Sequence, residues 1–155
     1  MSTAAKYFGA FGAGFPKGEM SFAEAAAVPS VALTAWQALV DKASVQAGQM
    51  VLIQGASGGI GMFAIPIAKL RGAKVFATAS IANQDFLKQL GADVAIDYKT
   101  QKFEDIAKNV DVVVDGVGGE TLKGSYPVVK KGGKPCLHKT RMTCFAVQTG
   151  KRSLT

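Results

Sequence analysis

The sequence predicts an alternating α/β domain built around a parallel sheet. Three observations predict it. Short apolar runs at 49–54, 74–79 and 111–115 suit strands buried on both faces. Segments with helical spacing separate them. A glycine-rich stretch, Gly55 to Gly61, follows the first run directly. At 155 residues the chain can bury one sizeable core. A hydrophobic content of 48% with only 19% charged residues favours an ordered domain over a disordered chain.

Residues 1–20, rich in Gly and Phe without a sustained period, read as an irregular lead-in. From Ser21 the run SFAEAAAVPSVALTAWQALV reads as two helical pieces broken at Pro29, with Ser21 and Glu24 forming a capping box. The second piece is expected to carry Leu33, Trp36, Leu39 and Val40 on one face. QMVLIQ (49–54) is the first strand and Ile60–Leu70 the helix after it, ended by Arg71-Gly72. Pro66 inside that helix removes a hydrogen bond and predicts a cost of about 3 kcal/mol or a kink. KVFATA (74–79) is the second strand. A helix over 84–90 with Phe86, Leu87 and Leu90 inward, a short strand at 94–96, a short helix at 103–108 and the strand DVVVD (111–115) follow. Glu120–Val129 reads as helical at its start, with Pro127 awkward inside it. Right-handed crossovers then give the four visible strands the order 3-2-1-4.

The net charge of +7 lies wholly in residues 130–155, which hold seven Lys and Arg and no acid; both cysteines and the lone His138 are there too. No apolar stretch approaches the roughly 20 residues that span a bilayer, and the N-terminus lacks the pattern of a secretory signal. A cytoplasmic protein with reduced thiols is the expectation. Cys136, His138 and Cys144 lack the paired spacing of structural zinc, so no metal is expected.

The chemistry resides in Gly55-Ala56-Ser57-Gly58-Gly59-Ile60-Gly61. A dinucleotide fingerprint needs small residues at three places, here Ala56, Gly58 and Gly61: for a tight turn, for backbone approach to the pyrophosphate, and for packing of helix on strand. Free N–H groups at the helix start then face the anion at the positive end of the helix dipole. Flanked by strand, helix and second strand, this is a Rossmann-type, doubly wound unit. An NAD site usually has an acid at the end of the second strand; here Thr78 to Asn83 contain none, which tilts the choice to NADP(H). Ser80 and Asn83 serve equally well as helix caps.

The segments SFAEAAAVPSVALTAWQAL, AGQMVLIQGASGGIG, IAKLRGAKVFATAS, LGADVAIDY and DVVVDGVGGETL together resemble the zinc-independent quinone oxidoreductase branch of the medium-chain dehydrogenase/reductase family, from about Pro16 to Gly133. The resemblance implies NADPH binding and hydride transfer to a quinone or α,β-unsaturated carbonyl. It implies that Thr34 meets the nicotinamide-ribose end of the cofactor and that Ser57, Gly58, Gly59, Ile60 and Gly61 hold the pyrophosphate. Ser80, Asn83 and Tyr98 would surround the 2′-phosphate, and Gly116 and Val117 would pass the nicotinamide. Asn83 departs from members that carry a lysine nearby. The family also implies a GroES-like catalytic domain, for which only about 20 residues precede Ser21, and an apolar fifth strand after the GGK turn. PCLHKTRMTCFAVQTGKRSLT fits no such strand, so 21–133 is expected to be the nucleotide-binding domain, open on its C-terminal side, with 134–155 a basic tail. No catalytic residue stands out, and the isolated chain is expected to turn over quinone poorly. The alternatives are a non-catalytic nucleotide-binding or homodimerising fragment and, as a lesser reading, nucleic-acid contact through the tail.

Overall fold

The computed structural model describes residues 30–137 and 143–144. The lead-in, the Ser21–Glu24 capping box, Pro29, His138 and most of the basic tail lie outside them. Strands β1 (Met50–Gln54), β2 (Lys74–Ala79), β3 (Val94–Asp97), β4 (Val110–Asp115), β5 (Val129–Leu137) and β6 (Thr143–Cys144) form one sheet in the order β3-β2-β1-β4-β5-β6. The first five are parallel, and β6 is antiparallel to β5. The expected order 3-2-1-4 is the observed one.

The period-2 geometry of a strand explains why the runs are apolar throughout. Val51, Ile53, Val75, Ala77, Val112 and Val114 enter one core, against residues 30–43 and helix α2 (Gly59–Leu70). Leu52, Phe76, Ile96 and Val113 enter the other, with Phe103, Ala107 and Val128. Each face needs its own cover, so helices lie on both sides. The first described helix, α1, spans 30–36; α3 is Gln84–Gln89, α4 Phe103–Ile106 and α5 Glu120–Val128. Both internal prolines, Pro66 in α2 and Pro127 in α5, sit inside helices that run through them. For α2 the compensation is burial of Gly61, Ala64, Ile65, Ile67 and Ala68 along one face. No helix among the described residues is long and apolar enough to cross a membrane.

Three expectations need correction. Leu33 is 56% exposed, not inward with Leu39. After α1 the chain widens into a π-helical turn, Gln37–Lys42, with Ala43 N–H donating to the Ala38 carbonyl, so the 3.6-residue spacing fails there. Second, a fifth strand does form, with GGK inside it: Lys134, Pro135 and Cys136 stand opposite Val112, Val113 and Val114. Among the described residues Pro135 has a paired neighbour on the β4 side, Val113, and proline is tolerated where a ladder is one-sided. Two lysines within the strand have partners, while the cationic positions after Pro135 (His138, Lys139 and Arg141) lie outside the described residues. Lys130 pairs with Asp111, and Lys134 Nζ donates to the carbonyls of Ala43 (3.2 Å) and Lys42 (3.4 Å) at the end of the π turn. Third, Cys136 is disulfide-bonded rather than a free thiol; the antiparallel register sets its backbone opposite Cys144.

Candidate functional site

The polypeptide leaves β1 at Gln54, turns through Gly55–Gly58 and enters α2 at Gly59. The turn closes on a bond from Gly58 N–H to the Gly55 carbonyl (3.0 Å), and Gly55 sits at φ +65°, where a side chain is strained. A Cβ on Gly55 would also lie 2.9 Å from Val117 Cγ2. Gly61 is tighter still. A Cβ there would fall 2.3 to 2.5 Å from the backbone of Ala56, so α2 can lie against the turn only with glycine at 61. On Gly59 a Cβ would come 3.1 Å from Val31 Cγ1, which places α1 against the start of α2.

This packing leaves donors over. Ala56 N–H is spent on the Thr78 carbonyl (2.8 Å) and Met62 N–H on the Gly58 carbonyl (3.0 Å). The N–H groups of Ser57, Gly59, Ile60 and Gly61 have no acceptor among the described residues, and no side chain caps α2. Gly58 and Gly59 are exposed and Ser57 half-buried. Unspent amides at the positive end of a 12-residue helix make a cradle suited to an anion. The residues present therefore fit a diphosphate: the donors are unpaired, and side chains at 55 and 61 would clash with what encloses them.

Beneath the turn lies a polar chain that the sequence did not disclose. Gly55 N–H donates to Thr78 Oγ1 (3.2 Å), and that hydroxyl donates to Gln54 Oε1 (2.7 Å). Gln54 Nε2 donates to Ser125 Oγ (3.4 Å), which donates to the Thr121 carbonyl (2.8 Å). Gln54, Thr78 and Ser125 are 3%, 2% and 0% exposed. On the other flank, Asp115 Oδ1 accepts from the N–H groups of Val117 (2.7 Å) and Gly118 (2.8 Å) and so shapes the Gly116–Gly118 loop beside the turn. The sequence signal for these residues is slight: a glutamine closing one buried run, an aspartate closing another and a threonine inside a third.

The remaining expected residues divide into two groups. Ser80 and Asn83 lie just past β2, at the same strand ends as the turn, and Asn83 Nδ2 donates to Ser80 Oγ (3.3 Å). Tyr98 follows β3 and is 57% exposed; its N–H donates to the Ala79 carbonyl, which places it beside Ser80. Gln84, absent from the expected set, donates from Nε2 to the Ala79 (3.1 Å) and Ser80 (3.3 Å) carbonyls and stiffens this bend. Thr34 is half-buried in α1 and its hydroxyl donates to the Ser30 carbonyl (2.7 Å), within its own helix. Val117 is 53% exposed on the far side of the turn. The cradle, the Ser80–Asn83–Tyr98 corner and the Gly116–Val117 loop thus share the C-terminal edge of the sheet, where open α/β sheets bind ligands. Among the described residues no three of His, Cys, Asp and Glu come together as a metal site.

A family model described as zinc-binding dehydrogenase matches residues 59–137. A tomato 2-methylene-furan-3-one reductase is 45% identical over 117 residues, covering 74% of this chain and 29% of the relative. The structure of the quinone oxidoreductase from Coxiella burnetii superposes with a TM-score of 0.70 at 42% identity, over 76% of this chain and 37% of that one. The nucleotide-binding subdomain of the enoylreductase domain of PpsC from Mycobacterium tuberculosis gives a TM-score of 0.63 at 33% identity, over 68% of this chain and 63% of that one. The chain thus spans about a third of the length of the first two.

Proposed function

The chain belongs to the zinc-binding dehydrogenase family, and on that premise we propose that it is the NADPH-binding part of a reductase acting on quinones or α,β-unsaturated carbonyls. The observation that carries this reading is the set of unspent amides of Ser57, Gly59, Ile60 and Gly61 at the head of α2, enclosed by Gly55 and Gly61, which admit no side chain. In this reading Ser57, Gly58, Gly59, Ile60 and Gly61 hold the diphosphate. Ser80, Asn83 and Tyr98 take the adenosine end, and Thr34, Gly116 and Val117 line the nicotinamide end. Ala56 keeps the turn tight.

The absence of any carboxylate from Thr78 to Gln84 supports the phosphorylated cofactor. An acid there would bond the ribose 2′-hydroxyl of NADH and repel a 2′-phosphate. When bound, the reduced nicotinamide supplies the hydride, while the protein contributes position and electrostatics. The names of the relatives, a furanone reductase and a quinone oxidoreductase, support an activated alkene or quinone as acceptor. Titrating the full chain with NADPH and with NADH, followed by thermal melting, tests this. NADPH should raise the melting temperature at lower concentration than NADH. Equal responses would remove the 2′-phosphate preference, and no response to either would remove the nucleotide reading itself.

A further inference from the structure

We infer that Thr78 is the positioning residue of the nucleotide cradle, and that Gln54 and Ser125 hold its hydroxyl in place. The inference rests on the nucleotide-binding reading above and assigns the mechanism that aims the cradle. Thr78 grips two successive amides of the turn, Gly55 through its side-chain oxygen (3.2 Å) and Ala56 through its carbonyl (2.8 Å). Those two N–H groups are thereby turned into the protein. The donors of Ser57, Gly59, Ile60 and Gly61 are left without an acceptor among the described residues, in a turn that Gly55 at φ +65° bends sharply.

The hydroxyl can do this only in one orientation. Its proton goes to Gln54 Oε1 at 2.7 Å, which leaves a lone pair for the Gly55 amide. Gln54 is fixed in turn, since its Nε2 donates to Ser125 Oγ and Ser125 donates to the Thr121 carbonyl of α5. Each link is both donor and acceptor and nearly fully buried, so no water competes for it. The chain runs from β2 through β1 into α5, the helix that follows the Gly116–Gly118 loop. One hydroxyl therefore sets the turn in register with elements on both sides of it.

The test uses the full chain with Thr78→Val, which keeps shape and removes the hydroxyl, and with Thr78→Ser, which keeps the hydroxyl. Amide hydrogen exchange reads the turn without ligand. In Thr78→Val the Gly55 amide should exchange about tenfold faster, while Ala56, bonded to a backbone carbonyl that the substitution leaves in place, stays within about twofold of the parent. NADPH affinity should fall about tenfold in Thr78→Val and return to within about twofold of the parent in Thr78→Ser. Should Thr78→Val not fold, the pair Thr78→Ser and Thr78→Ala makes the same comparison at equal loss of the methyl. Equal acceleration of Gly55 and Ala56 would mean a merely structural threonine and overturn the inference, as would unchanged NADPH affinity. A parent chain that binds no NADPH would overturn the nucleotide reading, while the exchange data would still decide what holds the turn.

Discussion

The two ends of the sheet handle their polar groups in opposite ways. At the N-terminal ends of the strands, charges close on one another. Asp111 takes the Met50 amide on Oδ2 (2.8 Å) and Lys130 on Oδ1, and Lys134 caps carbonyls 42 and 43. Asp93 binds Lys69 (2.8 Å) and the Val75 amide (2.7 Å). A cavity of about 160 Å³ lies at this end, lined by Asp111, Lys130 and Lys134 among others, but these side chains are already paired. At the C-terminal ends the pairing lies one layer deeper, in Gln54, Thr78, Ser125 and Asp115, and the layer above keeps free amides. Charge spent internally stabilises; donors left unspent, on a framework that holds them still, are what a ligand can use. The difference marks the functional end better than cavity shape does.

The largest effect should come from breaking the open end. Gly61→Ala places a Cβ inside the backbone of Ala56, and neither partner is a flexible side chain that can move aside. Pushing α2 off the turn should cost about 2–3 kcal/mol and abolish NADPH binding. Chemical denaturation and a nucleotide titration of the same sample check both. A variant that binds like the parent would mean that the close packing of helix on turn is dispensable.

Breaking the closed end should separate stability from binding. Asp111→Ala strands the Met50 amide and the Lys130 ammonium, and loss of a partner to a buried donor costs about 1–3 kcal/mol. The folded fraction of this variant should still bind NADPH with the parent's affinity, because the bonds of Asp111, to Met50 and Lys130, lie at the end of the sheet away from the cradle. Reduced affinity in the folded protein, measured well below its melting temperature, would show that the two ends are coupled and blur the contrast.

How much of this was legible follows the same division. Buried parallel strands announce themselves as unbroken apolar runs, so β1, β2 and β4 were readable, and a glycine turn between strand and helix needs only local sequence. The polar chain beneath it was not readable. Whether Thr78 points at Gln54 depends on the register of β2 against β1, where Ile53 stands beside Ala77, and a single sequence does not give register. Strand β5 was hidden for a related reason. Pro135 argues against a strand until its register beside Val113 of β4 is in view. Leu33 failed because the helical period itself changes at the π turn.

The smallest and most specific effect concerns acid. Burial of Asp93 pushes its carboxyl upward, but the hydrogen bonds from Lys69 and the Val75 amide and the charges of Lys69 and Lys74 outweigh that, and its pKa lies below the ordinary 3.8. A carboxylate with a depressed folded-state pKa stabilises the fold fully above its unfolded value, and that contribution is lost as pH falls through the folded one. Parent and Asp93→Asn should therefore differ in melting temperature at neutral pH and converge as the pH drops below about 4. About a third of each partner is exposed, so the gap should be modest and should shrink in high salt even at neutral pH. A gap independent of both pH and salt would assign the contribution to the shape of Asp93 and not to its charge. NADPH affinity should not change in this variant, because Asp93 precedes β3 at the end of the sheet opposite the cradle.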